Sequence, residues 1–238
     1  MSVPDPVGFD SLRGVVRLAE STLPTEFGSF RLIVYQSDDP RTHPSLSKEQ
    51  IALIKGDVCG KADVPVRLHS ECLTSEVFSS LKCDCREQLT EAQRWIQAEP
   101  YGCIIYLRQE GRGIGLANKI RAYALQEQGA DTVQANEQLH LPVDARDYAV
   151  AAEILRQLQV RSVRLMTNNP DKLASLTKHG VSITGRIPLV IHPNPHSQRY
   201  LEVKRERLNH LLPAHEEPSH ETPTLVAANG EPISTKAS

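Results

Sequence analysis

Before about residue 86 the apolar residues of this chain fall in short alternating or β-branched runs, at 14–19, 29–35, 51–56 and 64–69. Runs of that kind predict strands. The prolines and polar residues of 38–47 predict a loop between the second and third. Beyond residue 86 the period lengthens. Leu89, Ala92 and Ile96 line one stripe of a helix over 86–98, and Leu116, Ile120, Tyr123 and Ala124 line one over 116–128. Gly129 then suits the position just past a helix end. Tyr148, Ala152 and Leu155 repeat the pattern over 144–158. The apolar runs 103–107 and 162–166 predict buried strands. A helix over 170–179 stops at Gly180, and a strand over 181–190 and a charged helix over about 198–212 complete the body. Strands alternating with helices predict an α/β fold with helices on both faces of a sheet and a smaller strand-rich N-terminal portion.

Composition narrows the class. A chain of 238 residues is long enough to bury the core of one domain of about 200 residues. Its apolar runs fall far short of the roughly 18 residues that cross a bilayer. Met1 to Asp10 shows no basic and apolar leader pattern, so a soluble cytoplasmic protein without a membrane partner is expected. Residues 1–12 read as a flexible N-terminus and 213–238 as a disordered, acidic, Pro-rich tail, leaving 13–212 as one folded domain. The formal net charge is −2; the tail, with four glutamates against one lysine, is −3 and the remainder +1. A nearly neutral body argues against nucleic acid as a partner, yet it can gather arginines in one cleft for a small anion. Five cysteines in a cytosolic context favour metal or catalytic use over a disulfide framework.

Cys72, Cys83 and Cys85 are spaced C-x10-C-x-C. Thiolates are preferred zinc ligands, and cysteines two apart on extended backbone point to one side. Three protein ligands with an open position for water suit a catalytic zinc. On spacing alone, buried apolar cysteines and a closed structural site completed by His69 stay open beside it. His69-Ser70-Glu71 also looks like half of a zinc nucleobase deaminase motif, but Cys83-Asp84-Cys85 lacks the partner P-C-x-x-C form.

Two strand-to-helix junctions carry anion-binding chemistry. In the segment from Gln109 to Gly115, glycines let main-chain amides approach an anion, Arg112 offers a bidentate fork and Glu110 can accept from the N–H edge of guanine. A plain Gly-rich turn is the alternative. Asn169 and Pro170 suit an N-cap and first helical position, whereas Lys172 in that first turn is disfavoured unless an anion sits beside it. Asp144 reads as another N-cap, with Arg146 again a cation in a first turn.

Arg67-Leu68-His69-Ser70-Glu71-Cys72, Cys83-Asp84-Cys85, Arg108 to Arg112, Asn118 to Tyr123 with Thr132, Asp144-x-Arg146-Asp147 and Thr167 to Pro170 occur together and in order. Across roughly residues 15–212 the chain resembles bacterial GTP cyclohydrolase II. The resemblance implies a three-layer α/β/α fold with a mixed sheet, a homodimer, and one zinc per subunit on Cys72, Cys83 and Cys85, with His69 not a fourth ligand. It implies a GTP site of Arg67, Leu68, His69, Ser70, Glu71, Gln88, Glu110, Gly111, Arg112, Thr132, Thr167 and Lys172. Asp144 matches a proton acceptor, and Tyr123 a tyrosine linked to complete turnover. Arg146 matches a residue proposed as nucleophile in pyrophosphate release; a guanidinium that stays protonated is better suited to stabilising phosphate charge. The implied reaction hydrolyses GTP, with magnesium on its phosphates, to a diaminopyrimidinone ribosyl monophosphate, formate and pyrophosphate. A relative that keeps the formyl group or acts on another base, and a non-catalytic nucleotide binder with structural zinc, are the competing expectations. Arg86-Glu87, the 38–50 insertion and the tail depart from the family pattern.

Overall fold

The computed structural model describes residues 14–38 and 48–191, with Ser197, Glu202, Arg205, His210 and Leu211. The expected N-terminal and C-terminal segments, most of the 38–50 insertion and most of the helix over 198–212 lie outside the described residues.

Among the described residues seven strands form a single mixed sheet. In chain order they are β1 (Val15–Thr25), β2 (Gly28–Ser37), β3 (Glu49–Lys55), β4 (Val64–Ser70), β5 (Gly102–Leu107), β6 (Val163–Met166) and β7 (Ile183–Ile187). Their spatial order is β1-β2-β3-β5-β4-β6-β7. Strands β1, β2, β3 and β5 pair antiparallel, and β5, β4, β6 and β7 pair parallel. The strand-rich N-terminal portion is thus one wing of the same sheet, joined to the α/β half where β3 pairs with β5.

Period-2 alternation explains the three layers. On β5, Cys103, Ile105 and Leu107 face a core shared with Tyr148, Ala151, Ile154, Leu155 and Leu176. Those residues bring α5 (Ala149–Gln157) and α6 (Pro170–Lys178) onto that face. The intervening Ile104 joins Phe30, Ala92, Ile96 and Met166 on the opposite face, under α2 (Cys85–Ala98). The predicted stripe of Leu89, Ala92 and Ile96 is therefore the one that covers the sheet. Among the described residues no helix is long and apolar enough to cross a membrane.

Four elements differ from the pattern-based expectation. Two short helices, α1 (Leu73–Glu76) and α4 (Thr132–Gln138), were invisible to periodicity because each spans two turns or fewer. Asp131 caps α4, accepting from Val133 and Gln134 main-chain N–H while the Gln134 side chain returns the bond. The helix expected over 144–158 begins only at Ala149, since 144–148 is held as a loop. Helix α3 (Leu116–Glu127) forms as expected, but its apolar stripe does not face the core. Leu116 and Ile120 are exposed and Ala122 is the buried contact, because α3 packs on α4 and the preceding turn instead of on the sheet.

Candidate active site

Three parallel neighbours, β5, β4 and β6, end side by side, and each hands over to one of the conspicuous motifs. Strand β4 runs into Glu71 and Cys72, β5 into the 3-10 turn Glu110–Gly113, and β6 into Thr167, Asn168 and Asn169. Carboxyl ends of parallel strands are where α/β sheets bind ligands. A cavity of about 390 Å³ opens there. Its wall includes Arg67, His69, Ser70, Glu71, Gln88, Glu110, Gly111, Arg112, Thr132, Thr167 and Lys172, together with Tyr123, Arg146 and all three motif cysteines. Two expected residues are not on that wall. The Leu68 side chain is fully buried in the core, so only its carbonyl faces the site region, accepting from Lys172 Nζ at 2.7 Å. Asp144 is bonded to Arg146, which does line the cavity.

The sulfurs of Cys72, Cys83 and Cys85 lie within 4.8 Å of one another. Extended backbone is not what brings them together: Cys83 sits in a bend and Cys85 opens α2. His69 is absent from the cluster, its Nε2 lying 2.8 Å from Glu76 Oε1. Three thiols this close cannot ionise alike. Hydrogen bonds from Cys83 and Cys85, with the Lys119 ammonium, pull Cys72 far down. Hydrogen bonding to Cys72, then burial, pushes Cys83 and Cys85 up. A cation shared by all three would let them ionise together, and three sulfur donors could hold a thiophilic metal ion. The departure at Arg86 and Glu87 leaves this loop intact. Arg86 donates its N–H to Ser75 Oγ and its guanidinium to Ser79 Oγ, tying the start of α2 to the segment after Cys72.

Around the cysteines the polar walls are tightly organised. Arg67 donates to Met166 O and to Gln88 Oε1, and Gln88 in turn donates to the buried Asp84. Burial lowers the Arg67 pKa to about 10, which still leaves it cationic at neutral pH. Glu110 accepts from Leu73 N, Gly111 N and Lys119 Nζ, at 2.7, 2.7 and 2.8 Å. Lys172 is 5% exposed, and its ammonium lies 5.6 Å from the Tyr148 ring centre. Asn169 caps α6 by accepting from Asp171 N, with Pro170 at the first turn, as its sequence predicts.

Arg146 grips Asp144 through Nε and Nη2. Burial pushes the Asp144 carboxyl up, but the hydrogen bonds and charge of Arg146, with Arg112, prevail and hold it below its usual value. The segment carrying both residues lies against the Gly-rich turn, where Ala145 N donates to Arg112 O at 3.0 Å. Gly113 makes that approach possible. Its φ is +89°, and a Cβ there would meet the Ala145 main chain at 3.0 Å. Gly113→Ala is expected to cost about 1–2 kcal/mol for the left-handed backbone alone. It should also displace Asp144 and Arg146, so turnover should fall while the thermal midpoint drops by a few degrees; paired melting and activity measurements check this.

Three site residues lay outside the sequence-based set. Lys119 on α3 lies 3.1 Å from Cys72 Sγ. Glu76 contacts His69, accepts from Cys72 N and accepts from Tyr106 OH at 2.5 Å. The ring of Tyr106 stacks on His69 with centres 5.6 Å apart. The one signal for Lys119 is its position within the Asn118 to Tyr123 motif; nothing local marks Glu76 or Tyr106.

Residues 16–188 match the family model described as GTP cyclohydrolase II. A GTP cyclohydrolase-2 of Picrophilus torridus is 51% identical over 82% of this chain and 97% of its own. One from Acinetobacter baylyi is 52% identical over 82% of this chain and 94% of its own. The riboflavin biosynthesis protein RibBA of Chlorobium phaeovibrioides is 46% identical over 89% of this chain, which spans 51% of that longer protein.

Proposed function

The chain belongs to the GTP cyclohydrolase II family, and we propose that it hydrolyses GTP to a diaminopyrimidinone ribosyl monophosphate, formate and pyrophosphate, the first committed step of riboflavin biosynthesis. The observation that carries this is the convergence of three cysteine sulfurs with Arg67, Arg112, Arg146 and Lys172 on one cavity. A sulfur cluster alone would serve a structural metal; a cationic wall alone would serve any anion. Side by side they match a substrate with a base to be opened at one end and a triphosphate at the other.

In this reading Cys72, Cys83 and Cys85 hold one zinc ion per subunit. When bound, zinc supplies Lewis-acid activation of water at neutral pH. Glu110, already oriented by Leu73 N–H, Gly111 N–H and Lys119, presents a fixed carboxylate to N–H groups of guanine. Gln88, Thr132 and the Arg67 to Glu71 strand end complete the base and ribose walls. Lys172, Thr167, Arg112 and Arg146 receive the triphosphate, whose magnesium is carried by the substrate. Arg146 acts by stabilising phosphate charge, since a guanidinium that stays protonated is a poor nucleophile. A phosphate at Arg146 competes with Asp144 for the fork, freeing a carboxylate in its basic form to accept a proton. Tyr123, placed by α3 over Lys82 and Lys119, stands on the wall close to the cysteines. Dimerisation and a cytoplasmic location belong to the same proposal; sedimentation of the purified protein tests the former.

Zinc-loaded protein incubated with GTP and magnesium, with formate and pyrophosphate assayed separately, tests the reaction. Equal yields of both are expected. Pyrophosphate without formate would mean a formyl-retaining enzyme, and neither product would mean another substrate or a binding role.

A further inference from the structure

Lys119 belongs to no motif role assigned above, yet it is the group that touches both halves of the site. Its Nζ lies 3.1 Å from Cys72 Sγ and 2.8 Å from Glu110 Oε1. The side chain is 11% exposed and that of Glu110 6%, so water screens neither strongly. Glu110 also accepts from Leu73 N, the residue beside Cys72, at 2.7 Å. The Glu110 carboxylate and the Cys72 sulfur are therefore bridged by one shared cation.

We propose that Lys119 is a positioning residue of the metal centre, donating to the Cys72 thiolate and neutralising charge that the ion does not. The inference rests on the zinc reading of the cysteines. Three thiolates around a divalent ion sum to one net negative charge, and Glu110 adds another beside it. The other cations nearby are committed elsewhere: Arg67 to Gln88 and Met166 O, and Lys82 to Glu127 at 2.9 Å. Without Lys119 the loaded site would hold its negative charges against one another in an enclosed wall. An N–H donor on a thiolate also draws electron density from sulfur; this lowers the sulfur lone pair, which the cobalt spectrum reads, and offsets only part of the charge neutralisation, which metal affinity reads. Partners of this kind outside the ligand shell typically change metal affinity by about ten- to a hundredfold.

Chelator competition for zinc, and the thiolate-to-metal charge-transfer band after cobalt substitution, test this on the full chain. Wild type, Lys119→Arg, Lys119→Met and Lys119→Gln are compared, each checked for native circular dichroism. The Met and Gln variants should bind zinc about ten- to a hundredfold more weakly, with the cobalt band moved to lower energy because the sulfur lone pair is no longer stabilised. Lys119→Arg should stay near wild type in both. If a folded neutral variant keeps wild-type affinity and an unmoved band, Lys119 has no such role. If wild type itself takes up neither ion, the metal reading fails first and this inference falls with it. Two neutral variants of different shape guard against one failing to fold.

Discussion

Cys83→Ser is expected to abolish formate release while pyrophosphate release continues. Cys83 is 5% exposed and its sulfur lies 3.6 Å from that of Cys72. Serine fills most of the volume, so the fold should stand, but a hydroxyl does not ionise near neutral pH and reaches less far than sulfur. The cluster is then left with two soft donors, too few for a three-ligand site with an open position. A fall of roughly 10³-fold in formate production, about 4 kcal/mol on the barrier, is the scale anticipated. Pyrophosphate chemistry belongs to the cationic wall of Arg112, Arg146 and Lys172, which Cys83 does not touch. Metal content, formate and pyrophosphate measured on one preparation check this. Normal ring opening by zinc-free protein would remove the metal from the mechanism.

Lys172→Met should separate binding from stability. Lys172 occupies the first turn of α6, where the helix end already carries partial positive charge, and it is buried to 5% exposure. Its Nζ donates to Leu68 O and faces the Tyr148 ring. An ammonium in that position costs desolvation energy, so an apolar side chain of similar length should leave the thermal midpoint unchanged or raised. Loss of a charge-assisted bond to phosphate costs about 1.5–3 kcal/mol, a rise of roughly 10- to 150-fold in KM for GTP. Binding of unphosphorylated guanosine should be unaffected. A variant with unaltered KM would move the triphosphate away from α6.

The same residue shows how far local pattern reaches. Lys172 is conspicuous in one dimension because a cation in a first helical turn conflicts with the helix dipole, and conflicts of that kind mark sites. Asn169 and Pro170 are legible for the opposite reason: cap chemistry is local, and the structure has the predicted bond. Arg146 also stood out by position, but its placement was misjudged. The helix expected to begin at 144 starts at Ala149, because Gly113 admits the 144–146 segment against the Gly-rich turn and Arg146 closes on Asp144. No period records a contact made across 32 residues of chain.

The longer strands and helices, the motif segments and the cysteine spacing were legible in the sequence itself, because periodicity, caps and ligand chemistry act over a few neighbours. Strand order, the outward turn of the Leu116 and Ile120 stripe, and the burial of Leu68 away from the cavity were decided only by tertiary packing. So was the meeting of Lys119 and Glu76 with the Cys72 loop. Which parallel strands end side by side selects which loops share a cavity, and that choice rests on how the two faces of one sheet are covered. It is a property of the whole chain and of no segment within it.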